Sequence, residues 1–148
     1  FQGLPMKVKE LMTKVMFTVS PEDPVDKVFI LFHFENIRHL PVLERGKLMG
    51  IVSDRDLKKV IGSRKKMSVN ESGTTVTLSS RKVKNIMRRG VVTIGPEQRA
   101  ADAAAIMAKR KIGALPVLKR EKLVGILTAT DILKAFVKLQ NEIDKVGI

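Results

Sequence analysis

Shifted by 75 positions, the 148-residue sequence superimposes on itself without a gap from Lys7 to Lys59. Val8 falls on Val83, Met12 on Met87, Thr18 on Thr93, Pro21-Glu22 on Pro96-Glu97 and Ile37 on Ile112. The densest match sets Leu40-Pro41-Val42-Leu43 on Leu115-Pro116-Val117-Leu118. It continues with Lys47-Leu48 on Lys122-Leu123, Gly50-Ile51 on Gly125-Ile126, and Asp56 on Asp131. A duplication constrains the fold strongly, because each copy must form the same elements. The chain is also long enough to bury a core as two packed halves.

Each copy reads as strand, helix, strand, strand, helix. In the first, residues 16–19 read as a short strand stopped by Ser20-Pro21. Pro24 stands at a first helical turn, and Val25, Val28, Phe29 and Phe32 follow at helical spacing, which predicts a helix over about 24–35. His33 lies off that stripe and reads as a surface or packing residue. The apolar runs 40–43 and 48–52 are joined by Glu44-Arg45-Gly46-Lys47, an antiparallel hairpin. Pro41 demotes its run to an edge or irregular strand, with backbone groups left free for a partner such as an aromatic base. The second copy repeats this with a strand at 91–94 and a helix over about 97–110, whose inner stripe is Ala100, Ala103, Ala104 and Met107. Strands at 114–118 and 123–127 and a final helix from Thr128 complete it. Residues 7–14 form a short amphipathic turn before the first strand. Residues 63–80, rich in Ser, Thr and Lys, read as a linker in which 74–78 has the β propensity for a short edge strand.

The last strand of each copy runs into its helix through Gly50-Ile51-Val52-Ser53-Asp54-Arg55-Asp56 or Gly125-Ile126-Leu127-Thr128-Ala129-Thr130-Asp131. Ser53 and Thr128 occupy the N-cap position. Leu57, Val60 and Ile61 follow the first at helical spacing, and Ile132, Ala135, Phe136 and Leu139 the second. Asp56 and Asp131 then fall at N3, where a carboxylate suits the helix dipole and completes a spacing that resembles a capping box. The same residues suit a ligand equally: a helix N-terminus offers N–H groups to a phosphate, and a carboxylate can accept both hydroxyls of a ribose. The sequence leaves both readings open.

Charge narrows the partners. Of the net +13, residues 6–62 contribute +2 (ten Lys/Arg, eight Asp/Glu), 63–80 +2 (three, one) and 81–148 +9 (fifteen, six). A basic second half suits a nucleic acid, an acidic protein or a phosphorylated small molecule, or is simply a solvated Lys-rich surface. Nucleic-acid binding through Arg81-Lys82, Arg88-Arg89 and Lys109-Arg110-Lys111 is the lesser alternative, because no aromatic is interleaved with them and the chain has no Trp or Tyr. The absence of Cys excludes disulfides and thiolate metal sites. Neither His has a partner at ligand spacing, no Gly-rich phosphate-loop motif is present, and Asp54 and Asp56 do not face one substrate atom. No catalytic centre, metal site or cofactor is expected. With no apolar run of membrane-spanning length and no charged-then-apolar leader, a soluble cytoplasmic protein without a membrane partner is expected. Phe1-Gln2-Gly3 resembles the remnant of a protease-cleavable tag, and Met6 is a natural start.

The His39-Leu40-Pro41-Val42 block and the two Gly-x-x-Ser/Thr-x-x-Asp segments resemble the CBS domain. Two such repeats in tandem resemble a Bateman module, over about residues 6–139. The resemblance implies an α+β fold of tandem β-α-β-β-α repeats packed about a pseudo-twofold axis. The expected parts are a tail or tag remnant (1–5), a first repeat (6–62), the linker (63–80), a second repeat (81–140) and a C-terminal tail (141–148). It also implies a non-enzymatic sensor that binds an adenine nucleotide in a cleft between paired repeats and signals energy state to a regulated protein. AMP stands first among the ligands, then ADP, ATP or S-adenosylmethionine. By resemblance Asp56 and Asp131 hold ribose, with Ser53 and Thr128 near the phosphate or ribose. Arg55 reaches toward phosphate, and Thr130, which replaces a basic residue there, weakens the second grip. Backbone around Thr18 and Thr93, from His39 to Pro41 and from Ala114 to Pro116, flanks adenine, with more room beside Gly113-Ala114 than beside Arg38-His39. Which carboxylate faces which adenine wall is left open. A homodimer is expected too, since Phe29, Ile30, Leu31, Phe32 and Phe34 cover more of the first helix than one core-facing stripe needs.

Overall fold

The structure, a computed structural model, describes residues 7–15, 17–61, 68–69, 75–76 and 81–147. In chain order these form α1 (Val8–Leu11), α2 (Val25–Glu35), β1 (His39–Glu44), β2 (Lys47–Ser53), α3 (Asp54–Ile61), β3 (Ser68–Val69), β4 (Thr75–Val76), α4 (Ala100–Arg110), β5 (Ala114–Lys119), β6 (Lys122–Thr128) and α5 (Ala129–Val146). A single 3-10 turn, Val83–Asn85, precedes the second copy's helices. The α+β class and the duplicated order of elements are as expected from the repeat.

The compact units of the fold cut across the sequence repeats. One is continuous, Met16–Val91; the other joins the N-terminal segment through Val15 to the chain from Val92 onward. In the continuous unit β1 and β2 pair antiparallel, Leu40 opposite Val52 and Val42 opposite Gly50, with a bulge after Val42. Val25, Val28, Leu40, Val42 and Val52 are fully buried there, and Val83, Ile86 and Met87 of the second sequence repeat complete their core. In the other unit β5 and β6 pair in the same register, and Val8 of the first repeat is buried with Ala103, Met107, Leu115, Val117 and Leu127. Each leading segment thus serves the copy that does not contain it in sequence.

The exchanged segments are tied in by matching bonds. The N–H groups of Lys9 and Lys84 donate to the carbonyls of Pro96 and Pro21, both at 2.9 Å. Thr13 forms an antiparallel bridge with Ile126, and Arg88 forms one with Ile51. Glu97 takes Lys7 and Lys9, each at 2.9 Å, while Glu22 takes Lys82 and Lys84. Hydrogen bonds from Lys82 and Lys84 hold the Glu22 carboxyl at about 2, and those from Lys9 and Lys7 hold Glu97 at about 2, against an ordinary 4.5. A carboxylate whose pKa is lowered by folding adds stability that is complete above its unfolded value and lost as pH falls through its folded one. The double variant Glu22→Gln/Glu97→Gln is therefore expected to lose less stability than wild type between pH 4.5 and 2. Thermal melts across that window in low salt check this. High salt should shrink the difference, because both clasps are solvent-exposed.

Several elements differ from the sequence expectation, each for a physical reason. The strands at 16–19 and 91–94 reduce to single parallel bridges, Val19 with Val42 and Ile94 with Val117; Met16 lies outside the described residues. Val19 and Ile94 donate to the carbonyls of Pro41 and Pro116 and accept from Leu43 and Leu118. The next parallel step would need an N–H from Pro41 or Pro116, which proline lacks. The Pro41 carbonyl thereby accepts the Val19 N–H, and both prolines are fully buried in strands of two-stranded sheets, each with a bulge just after the proline. Helix α2 begins one residue late, with Pro24 at its N-cap. Helix α4 begins at Ala100, because Gln98 closes a turn on Gly95 by accepting its N–H at 2.6 Å. Instead of an added edge strand, Thr75–Val76 pairs with Ser68–Val69; residues 74, 77 and 78 and the rest of the linker lie outside the described residues.

The apolar faces of the helices differ as well. On α2, Phe29, Leu31 and Phe32 pack against their own core, and Phe34 is left exposed with its ring edge-on to His33. The larger uncovered apolar face lies on α5, where Leu133, Phe136 and Val137 are exposed and Ile132 packs inward. Phe136 is thus not on the buried stripe to which its spacing assigned it. No helix among the described residues is long and apolar enough to cross a membrane.

Candidate functional site

The two strand-to-helix junctions have the same local construction. At the first, Ser53 Oγ accepts the N–H of Asp56 at 3.2 Å, while Asp56 Oδ2 accepts the Ser53 N–H at 2.8 Å and its hydroxyl at 2.9 Å. At the second, Thr128 Oγ1 accepts the N–H of Asp131 at 3.2 Å and Asp131 Oδ2 accepts the Thr128 N–H at 2.9 Å. Both are capping boxes, formed because the N-cap side chain and the N3 carboxylate each satisfy an N–H that the helix cannot. The first N–H of each helix is also engaged, Asp54 with the Arg38 carbonyl at 3.0 Å and Ala129 with the Gly113 carbonyl at 2.9 Å. The supply of free N–H donors for a phosphate is correspondingly smaller than a bare helix end would offer.

Strand register brings some of the expected residues to these junctions. His39 lies opposite Ser53, and Ala114 lies opposite Thr128. Burial lowers the pKa of His39 from its usual 6.5, against the opposing pull of Asp54 and Asp56, so the imidazole is neutral near neutral pH. Arg55 and Thr130 are exposed beside their aspartates, Thr18 is half-buried and Thr93 exposed. Pro41 and Pro116 sit two positions further along their strands, opposite Ile51 and Ile126.

The sequence reading placed Arg88 only in a basic cluster for nucleic acid and did not single out Thr13, yet each touches one of the two carboxylates. Arg88 Nε stands 3.3 Å from Asp56 Oδ1, and Thr13 Oγ1 donates to Asp131 Oδ1 at 3.1 Å. The 75-residue shift pairs these two positions with each other, which is the one sequence signal that could have marked them. Asp56, only 6% exposed, has both oxygens engaged and a cation on one of them. Asp131 is partly exposed and, among the described residues, meets only neutral donors. Part of the positive charge of the second half is also spent internally, in Lys82 and Lys84 with Glu22, Arg88 with Asp56 and Arg99 with Asp102. No cluster of acidic or histidine side chains among the described residues is arranged to hold a metal ion.

Comparison with known proteins agrees with this construction. The CBS domain family profile matches twice, over residues 8–63 and 83–138. An uncharacterized protein of Methanocaldococcus jannaschii is 35% identical over 137 residues, covering 90% of this chain but only 32% of that protein. A CBS domain-containing protein of Dictyostelium discoideum is 34% identical over 134 residues, covering 89% of this chain and 92% of its own length. Among solved structures, the CBS domain pair of protein MJ0100, in complex with 5′-methylthioadenosine and S-adenosyl-L-methionine, superimposes with a TM-score of 0.75 at 27% identity, covering 90% of this chain and 98% of that one. Two matched segments, the duplicated fold and the paired junctions together place this chain in the CBS domain family.

Proposed function

We propose that this chain is a regulatory module that binds an adenosine-containing ligand, with Asp131 as the acceptor for the ribose hydroxyls. The observation that carries the reading is the Asp131 carboxylate itself. One of its oxygens is fixed by the Thr128 N–H, and the other, among the described residues, meets only the hydroxyl of Thr13 at a partly exposed helix start. A carboxylate held in this way is preorganised to take two hydroxyls without first losing a charged partner. The two ligands named for the MJ0100 pair, at 27% identity, support adenosine as the chemical class. AMP stands first, then ADP, ATP or S-adenosylmethionine, and the bound state is passed to a regulated partner protein. No reaction forms part of this role.

Calorimetry with AMP, ADP, ATP and S-adenosylmethionine tests it. Asp131→Ala should weaken binding by about tenfold to a hundredfold, the equivalent of about 1–3 kcal/mol for a lost acceptor. Asp131→Asn keeps an oxygen for the helix cap but loses the charge, so it should bind weakly while melting close to wild type. Wild type that binds none of the four at millimolar concentration defeats the reading. So does Asp131→Asn binding as wild type does, which would leave Asp131 as a helix cap alone.

A further inference from the structure

Positions 13 and 88 are equivalent under the repeat, and each is delivered by its leading segment to the junction of the other copy. Their side chains differ in kind. Asp131 receives a neutral hydroxyl from Thr13 at 3.1 Å, whereas Asp56 receives the Arg88 guanidinium at 3.3 Å. The remaining Asp56 oxygen already accepts both the N–H and the hydroxyl of Ser53.

We propose that Arg88 closes the first copy against a ribose, so that the chain offers a single working adenosine clamp, at Asp131, and that the residue at positions 13 and 88 decides which copy is open. The proposal rests on the ribose reading given above. A ribose needs two acceptor positions. At Asp56 it would have to displace a guanidinium from a buried carboxylate, giving up an ion pair for a bond from an uncharged hydroxyl. At Asp131 it need only turn aside a hydroxyl, which can itself accept from the incoming sugar. Nor can Arg88 withdraw with its backbone. Its N–H and carbonyl are both bound to Ile51, at 2.9 and 3.1 Å. Its carbonyl lies so close to Gly50 that a Cβ there would stand 2.5 Å away.

Stoichiometry reads this directly. The full chain would be titrated calorimetrically with AMP, and again with 5′-methylthioadenosine, which keeps the ribose but lacks the phosphate. Wild type is expected to take one equivalent per chain. Arg88→Thr, which copies the arrangement of the second junction, is expected to take two. The reciprocal Thr13→Arg, at an exposed position, should close the second junction and weaken the wild-type site by about tenfold or more. Thermal melts confirm that each variant is folded; should Arg88→Thr fail to fold, Thr13→Arg decides alone. Two equivalents in wild type, one equivalent in folded Arg88→Thr, or unchanged affinity in Thr13→Arg overturns the closure while leaving the ribose reading standing. Failure of wild type to bind either compound overturns both.

Discussion

A fragment of residues 6–62, the whole of the first sequence repeat, is expected to show no cooperative unfolding transition. Its core lacks Val83, Ile86 and Met87, which are 0%, 9% and 9% exposed in the full chain and pack against the Val25, Leu40 and Val52 cluster. Burying each such side chain contributes about 1.5–3 kcal/mol, or roughly 5–9 kcal/mol together. That is comparable to the roughly 5–15 kcal/mol by which a whole domain is stable. The fragment also loses the Val83 N–H bond to the Asp23 carbonyl at 2.8 Å and both bonds between Arg88 and Ile51. A fragment of residues 16–91 keeps all of these and is expected to melt cooperatively. Urea titrations followed by circular dichroism compare the two. A sharp transition in 6–62 with the midpoint of 16–91 would show that the exchanged segment is dispensable.

Gly50→Ala is expected to destabilise the protein by about 3 kcal/mol and Gly125→Ala by about 1 kcal/mol, the upper and lower ends of the cost of overpacking. The two glycines are equivalent in sequence, and each faces an exchanged segment at close range. At Gly50 a Cβ would meet the Arg88 carbonyl oxygen at 2.5 Å and Met87 Sδ at 3.2 Å. The nearest obstacle is backbone, pinned by its bridge to Ile51, so relief requires the strand to move. At Gly125 the nearest atom is Met12 Sδ at 2.7 Å, the end of a flexible side chain, with the Thr13 carbonyl at 3.0 Å. Methionine can turn away at modest cost. In urea the Gly50 variant should therefore show the larger drop in midpoint, with an unchanged slope. Equal losses, or a larger one at Gly125, would mean that the two segments are held differently from the way these contacts indicate.

Much of the fold was legible where the signal is local. The Leu-Pro-Val-Leu runs and their four-residue turns became β1–β2 and β5–β6, the apolar stripes of α2 and α4 lie where their spacing put them, and both Ser/Thr-x-x-Asp segments are capping boxes. What escaped depends on partners distant in sequence. No period in residues 7–13 announces that Val8 belongs with Leu115 and Leu127, because that contact lies across most of the chain. The proline that marks the Leu-Pro-Val-Leu run also cuts short the neighbouring strand, an effect visible only once Val19 is known to pair beside it. Phe136 matches the helical period of the final helix, but period alone does not say which face has a neighbour. At the site, the carboxylates could be found from the motif, whereas the difference between them could not. It is made by Arg88 and Thr13, which reach them from the opposite sequence repeat.

The exchange of leading segments also sets an order of assembly during synthesis. Arg88 and Asp56 are 32 residues apart, so the continuous unit has all its parts as soon as residue 91 has left the ribosome. Thr13 and Asp131 are 118 residues apart. At ordinary elongation rates that separation is on the order of ten seconds, during which Val8, Leu11 and Met12 have been made but the core that receives them has not. The apolar residues of this N-terminal segment thus wait longest for their partners. A nascent chain interrupted midway would hold the finished continuous unit, with Arg88 already on Asp56, beside an N-terminal segment whose core has yet to be made.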